Sequence, residues 1–442
     1  PLSDSTIYMA YYTIAHRLQE IPVEDLDRYF FDALFYGEDA VDGAADERAL
    51  NLRDEWQYWY PVTQRFSAND LISNHLTFFL YHHAELFDEA QWPEGITIMG
   101  MGLLEGEKMS SSKGHVVLPG KAIEDYGADT VRFFLLNSAE PWQDYDWRAE
   151  QVEGVEDQLR RFWNRAQELI DDDVAAAADG VDPENDLEHI DRWLLSKLQS
   201  TIADVTAALD NAETRTASQA AFYGFEEHLK WYRRRTDLDR PDAQWTLRHV
   251  LETRLRLLAP FVPFMTNELH EQLTGTPAED APWPEIDEHW ESPRTETEER
   301  QIERLAEDIQ DILTVTEQDP ATIRIYVAAD WKREVFETVR EVGTDVGQVM
   351  GEVMQDPDLR ERGDAVNDLV QDLVEIVRGV DDDTVAAMSE IDERSTYETA
   401  VDFLEREHDA KVAVYAEDGD DIEDPGDKAS NAVPFRPAIH IE

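Results

Sequence analysis

Gly106-Glu107-Lys108-Met109-Ser110-Ser111-Ser112-Lys113-Gly114 carries two of the chain's eight lysines, and Lys121 adds a third close behind. Elsewhere the chain prefers arginine. A residue avoided elsewhere but concentrated in one glycine-flanked, hydroxyl-rich loop is required there. Lysine supplies a mobile point charge with rotatable donors. Serine hydroxyls and backbone N–H groups add anion-binding donors, and flanking glycines let the backbone approach a ligand closely. Such a loop suits the negative charge that develops on a reacting phosphate. A plain polar surface loop would need no such concentration.

Working outward, Ile96–Met101 reads as a short buried strand running into glycines at 100, 102 and 106. Leu71–Phe87 reads as a helix, with Leu76, Phe79, Leu80 and His83 on one face and Asn69 or Asp70 as N-cap. Lys121–Tyr126 and Asp129–Leu136 are two short helices parted by Gly127, and Ile7–Leu18 is a further helix or a site wall. Helix, strand and glycine loop in that order suit the last part of a doubly wound α/β sheet, which binds ligands at the carboxyl ends of its strands.

Gln151–Pro284 is helical throughout. Val152, Val155, Leu159, Phe162, Ala166 and Leu169 step by three and four, and three later sets repeat the pattern. Pro260 and Pro263 interrupt it. This predicts a helix bundle. After a polar connector at Glu291–Glu298, Ile323, Ile325 and Val327 alternate, as do Val412 and Val414, while Leu359–Val377 and Tyr397–Glu407 have helical spacing. The reading is multi-domain, α/β plus α, divided as 1–150, 151–290 and 291–442, the last a small α+β domain. No internal repeat is found.

The chain has 442 residues, 42% hydrophobic, with 98 acidic against 39 basic residues and a net charge of −59. The acid is dispersed in short blocks such as Asp171–Asp173 and Asp381–Asp383, not gathered in one tail. Dispersed acid with few lysines fits a protein working in molar salt, where the Debye length falls to roughly 3 Å and self-repulsion is screened. The other reading is an acidic surface for a basic partner. No cysteine is present, which excludes disulfides and zinc–cysteine sites. No apolar stretch reaches membrane-spanning length, and Leu257–Met265 holds two prolines. The first residue is Pro1 and no signal peptide is recognised, so the expectation is an N-terminally truncated piece of a cytoplasmic protein with an intact end.

Lys230-Trp231-Tyr232-Arg233-Arg234-Arg235 is the densest basic run, with Arg240, Arg248, Arg254 and Arg256 close behind. It reads equally as a surface for an RNA backbone or as helix charges paired with abundant acid. The histidines show no metal-ligand spacing, and no metal site is expected.

Lys108-Met109-Ser110-Ser111-Ser112 resembles the KMSKS signature of class I aminoacyl-tRNA synthetases. Asp70-Leu71-Ile72-Ser73-Asn74-His75-Leu76, Trp92-Pro93 and Gly106 are similar to the archaeal and eukaryotic type of leucyl-tRNA synthetase. So are Ser5-Thr6-Ile7-Tyr8-Met9-Ala10-Tyr11-Tyr12, Tyr126-Gly127-Ala128-Asp129-Thr130-Val131-Arg132 and the ending Pro434-Phe435-Arg436-Pro437-Ala438-Ile439. Leu258-Ala259-Pro260-Phe261-Val262-Pro263-Phe264 is shared with the bundles of related enzymes.

The resemblance implies the second half of a Rossmann-like catalytic domain, an anticodon-binding-type bundle and a tRNA-binding α+β domain, from a halophilic archaeon. It implies leucine activation with ATP and Mg²⁺, then transfer to the 3′ end of tRNA(Leu), with no zinc and no bound organic cofactor. Lys108, Ser111 and Lys113 would be catalytic. Gly106, Lys108, Met109, Ser110, Ser111 and Ser112 would hold ATP. Asp70 and His75, on residue type alone an N-cap and a helix-surface histidine, become adenylate-site residues. Lys230, Arg233, Arg234, Arg235 and Arg436 would meet tRNA, and the tail Val433–Glu442 is expected to serve tRNA binding without serving the fold.

Three departures stand out. The fourth signature position is Ser111, with Lys113 placed to compensate. Ser67-Ala68-Asn69-Asp70 stands where the family usually has Ser-Gly-Lys-Asp. No HIGH-like signature occurs, so the partner expected for this chain is the N-terminal half of the same enzyme. The alternatives are an isoleucyl or valyl type of enzyme, or a non-catalytic tRNA-binding paralogue.

Overall fold

The computed structural model describes residues 2–109, 114–316 and 319–442. The chain divides into two compact units, Pro1–Leu159 with Ala208–Thr216, and Arg160–Ala207 with Ala217–Glu442.

In the first unit, helices Leu2–Tyr12, Arg28–Tyr36 and Glu47–Trp59 enclose a core of Ile14, Phe30, Leu34, Leu52 and Trp56. The abundant acid is put to use as helix caps: Asp27 accepts from Phe30 N at 3.0 Å and Asp46 from Arg48 N at 2.8 Å. Strand β1 (Arg65–Ala68) pairs in parallel with β2 (Ile96–Met99), with Arg65 opposite Ile96 and Ala68 opposite Met99. The crossover between them is helical, as parallel pairing demands.

That crossover differs from the expected single helix. A 3₁₀ turn, Asn69–Leu71, leads into a π-turn, Ile72–Leu76, and only then into the α-helix Thr77–Leu86. Neither Asn69 nor Asp70 caps it, because the chain enters through the 3₁₀ turn with both residues already inside the helical path. Leu76, Phe79 and His83 are buried as expected, but Leu80 is 48% exposed, since the π-turn rotates the apolar stripe. β2 is half-buried rather than buried: among the described residues β1 is its only strand partner.

Beyond β2 the chain runs through Gly100 and Met101 into β3 (Gly102–Leu104), which pairs with β4 (Glu107–Lys108) antiparallel and with β5 (Tyr145–Trp147) in parallel. Gly100 lies so close to the segment entering β5 that a Cβ there would meet the Gln143 carbonyl oxygen at 2.0 Å. Helices Pro119–Tyr126 and Ala128–Ser138 meet at Gly127, whose φ of 82° turns the chain between them.

The second unit is helical up to residue 316. His189–Asp210, Phe225–Arg235, Pro241–Leu258 and Pro263–Thr274 bury Leu194, Leu198, Phe225, Leu251 and Leu269. Arg254 is buried among them, its guanidinium over the rings of Phe162 at 5.3 Å and Phe225 at 5.1 Å. The long helix Pro293–Thr316 leads into β6 (Thr322–Val327), the central strand between β7 (Lys411–Ala416) and β8 (Ala438–Ile441). β7 is parallel to β6 and β8 antiparallel. Helices Asp330–Val342, Val346–Val353 and Asp364–Arg378 pack into one core with Phe435.

The tail is therefore part of the fold, contrary to the expectation from its sequence. Ile323 pairs with Ile441 and Tyr326 with Ala438, and Glu442 O accepts from Ala321 N at 2.7 Å and Thr322 N at 2.9 Å. A strand of four residues, buried at Ala438 and half-buried at the other three, is too short to announce itself in sequence.

Candidate active site

β3 and β4 are joined by Glu105 and Gly106, at φ 52° and 82°. This is the two-residue hairpin turn whose backbone matches strand twist, and it requires positive φ at both positions. The turn is tied to β5: Gly106 N donates to Asp146 Oδ1 at 2.9 Å, and Arg148 Nε donates to Asp146 Oδ2 at 2.7 Å. The Gly106 N–H first, and then Arg148, hold the Asp146 carboxyl below its ordinary range.

Lys108 lies opposite Leu103 in the ladder, so the signature loop departs from a fixed strand. On its far side His115 Nε2 donates to Leu104 O at 2.9 Å. Lys108 and His115, described residues on either side of the loop, thus both lie against β3. Lys108 is exposed and has no carboxylate partner among the described residues, whereas Lys121 is paired with Asp125 at 2.6 Å and Glu124 at 3.3 Å. Met109 is half-buried. Ser110, Ser111, Ser112 and Lys113 lie outside the described residues.

Asp70 is exposed in the turn that follows the last residue of β1. His75 sits in the π-turn, half-buried, with its Nε2 2.9 Å from Arg65 Nη2. Burial, and then the charge of Arg65, hold its pKa below the ordinary value. Asp70 thus belongs to the carboxyl end of β1, while His75 is tied to the residue that begins the strand. No hydrogen bond joins Lys108, Asp70 and His75 to one another. Among the described residues no group of three or more His, Asp or Glu is placed to hold a metal ion.

The basic run sits on the helix Phe225–Arg235, and each of its cations meets a carboxylate. Lys230 pairs with Glu227 at 2.7 Å, Arg233 with Glu226 at 2.8 Å, Arg234 with Glu407 at 2.9 Å and Arg235 with Glu299 at 3.1 Å. Arg235 is 6% exposed, so its guanidinium is not displayed to a polyanion. Lys230 and Arg436 are exposed.

Arg65, His115 and Asp146 are the site residues that sequence reasoning missed. Each acts through a pairing fixed only by tertiary structure: Arg65 on a residue ten positions on, Asp146 on a turn forty positions back. No local pattern marks such pairs.

Comparison with known proteins agrees with this geometry. Residues 41–163 match the model for "tRNA synthetases class I (M)", and residues 191–326 match that for the "Anticodon-binding domain of tRNA ligase". A leucine–tRNA ligase of Methanothermobacter thermautotrophicus is 39% identical over 450 residues, covering 100% of this chain and 46% of the relative. Those of Methanopyrus kandleri and Pyrococcus abyssi are 38% and 39% identical over 100% of this chain, with 46% and 45% of their own lengths covered. A solved ternary complex of Agrobacterium radiobacter K84 LeuRS with tRNA and LeuAMS aligns over 76% of this chain and 38% of that chain, at TM-score 0.46 and 17% identity. The chain thus joins a stretch similar to part of the class I tRNA synthetase catalytic domain to one similar to the anticodon-binding domain of tRNA ligases. It is similar along its whole length to leucine–tRNA ligases, and it spans a little under half the length of those relatives.

Proposed function

We propose that this chain is the carboxyl-terminal part of a leucine–tRNA ligase, which activates leucine with MgATP and transfers it to the 3′ end of tRNA(Leu). The observation that carries the reading is the similarity of this whole chain to a little under half of each leucine–tRNA ligase. Lys108, with no carboxylate partner among the described residues, supplies positive charge where charge develops on the phosphates of MgATP, and Lys113 adds to it in place of the absent fourth-position lysine. Gly106, Met109 and Ser110 to Ser112 shape the loop around the nucleotide, and Asp70 and His75 meet the adenylate. Neither zinc nor an organic cofactor enters this reading. The parts are a catalytic portion at 1–150, a tRNA-binding bundle at 151–290 and a tRNA-binding α+β portion at 291–442, working in a halophilic cytoplasm. Arg436 and Lys230 are the cations best exposed for tRNA.

The reaction needs an amino-terminal half-site, and the first unit supports that requirement. Phe66 on β1, and Phe78 and Tyr81 on the crossover helix, are 51%, 44% and 71% exposed at a parallel strand pair, an arrangement normally covered on both faces. The test is leucine-dependent ATP–pyrophosphate exchange in molar KCl. The chain alone is expected to be inactive, and the same chain completed by a HIGH-bearing half is expected to be active with leucine. Exchange by the isolated chain would overturn the half-site reading. Preference of the completed enzyme for isoleucine or valine would establish the other synthetase types.

A further inference from the structure

Arg65 is held among neutral groups, Phe79, Met9 and His75. In a chain with 98 acidic residues against 39 basic ones, its guanidinium has no carboxylate partner among the described residues. It lies over the Phe79 ring at 4.3 Å, with Nη1 2.6 Å from Met9 Sδ and Nη2 2.9 Å from His75 Nε2. Its Nε is buried with no hydrogen-bond partner. A guanidinium only donates and does not lose its proton. The 2.9 Å contact therefore requires a lone pair on His75 Nε2. The imidazole is neutral, and its one proton is on Nδ1. His75 Nδ1 has no hydrogen-bond partner among the described residues, so this N–H is left for a ligand. The backbone at His75 is specialised too. The π-turn Ile72–Leu76 inserts an extra residue into the helical path, a device that re-aims side chains at functional sites.

We propose that Arg65 is a positioning residue: it locks His75 as a neutral Nδ1–H donor, directed to an acceptor oxygen of the bound aminoacyl-adenylate. The inference rests on the adenylate role given to His75 above. A carboxylate in place of Arg65 would select the opposite tautomer, or protonate the ring.

The test begins with ¹⁵N-histidine labelling of the whole chain in molar KCl and long-range ¹H–¹⁵N correlation, with His75 assigned by its loss in His75→Gln. The expected spectrum is the Nδ1–H tautomer at pH 7. Arg65→Met should shift His75 toward the Nε2–H tautomer, and Arg65→Lys should restore the Nδ1–H form. An Nε2–H or protonated ring in the unsubstituted chain, or no change in Arg65→Met, overturns the proposal. Kinetics of the completed enzyme form the second arm. Arg65→Met is expected to raise KM for leucine or ATP about tenfold, with rescue by Arg65→Lys. A tautomer switch with unaltered KM overturns the positioning role while leaving the ligase reading standing. Absence of leucine-dependent exchange in the unsubstituted completed enzyme overturns the ligase reading itself.

Discussion

Arg235 and Glu299 meet at 3.1 Å with 6% and 1% of their side chains exposed. Trp231 Nε1 donates to the same carboxylate at 2.8 Å, and His189 Nε2 lies 3.1 Å from its other oxygen. Burial pushes the Glu299 carboxyl up, but His189, Arg235 and Trp231 outweigh it and the pKa is lowered. Arg235 also donates to Thr399 O at 3.0 Å. Half of the basic run thus fastens the bundle helix to the segments that follow it.

Arg235→Ala should therefore act on stability. Removing one partner of a buried pair leaves the other charge uncompensated, at a cost of roughly 3–5 kcal/mol. Thermal unfolding in molar KCl checks it. A normal melting temperature together with weakened tRNA binding would instead make Arg235 an RNA contact.

Lys108→Ala is expected to slow leucyl-adenylate formation by the completed enzyme about 10²–10³-fold, as loss of one preorganised charge contact does. The exposed side chain leaves the melting temperature unchanged. Single-turnover adenylate formation is the measurement, and a rate within twofold of the unsubstituted enzyme would remove Lys108 from the chemistry.

Much of this was legible in sequence because it depends on local pattern. Lys108 and its glycines are contiguous, the bundle helices keep a period near 3.6, and Ile323, Ile325 and Val327 alternate. What stayed hidden depends on distant partners. Leu80 has a core residue's spacing, yet the π-turn carries it outward. Arg233, Arg234 and Arg235 read alike in sequence, but only the fold shows that Glu226, Glu407 and Glu299 already claim them. Arg65 carries no signal until His75 is brought beside it.

Glu393 gives stability a pH dependence of known sign. It is 5% exposed, and its Oε1 accepts from Phe435 N at 2.7 Å while Arg333 Nη1 lies 3.3 Å from Oε2. Burial, the largest influence, pushes its pKa up to about 7. An unfolded glutamate titrates near ~4.3. Between these values the folded chain keeps a proton that the unfolded chain has released, so stability falls as pH rises and levels off above 7. The slope is at most about 1.4 kcal/mol per pH unit for one proton. Glu393→Gln should flatten it between pH 5 and 7 in denaturant titrations, and an unchanged slope there would contradict the assignment.

Salt should stabilise the chain. With a net charge of −59, mutual repulsion opposes the compact state. Screening lengths shrink from roughly 10 Å at 0.1 M to roughly 3 Å at 1 M. The melting temperature is expected to climb steadily with KCl across that range. A flat or falling profile would refute adaptation to molar salt.

Deleting Val433–Glu442 separates a structural tail from an RNA-binding one. The deletion removes β8 and with it the pairing of Ile323 with Ile441 and of Tyr326 with Ala438. It also removes Phe435, which is 3% exposed and packs its ring 4.8 Å from that of Phe336. Truncating one such aromatic to alanine costs roughly 3–5 kcal/mol, so losing the strand as well should unfold the α+β region. The ten-residue deletion is therefore expected to abolish cooperative melting there, and any loss of tRNA binding would follow from that. Arg436→Ala is the discriminating variant. Its side chain is exposed, and its backbone bonds with Val433 do not depend on side-chain identity. Melting should stay unchanged while affinity for tRNA with a long variable arm falls several-fold in filter binding at fixed KCl. If the deletion melts normally, the tail is not structural; if Arg436→Ala binds as well as the unsubstituted chain, the tail is structural alone.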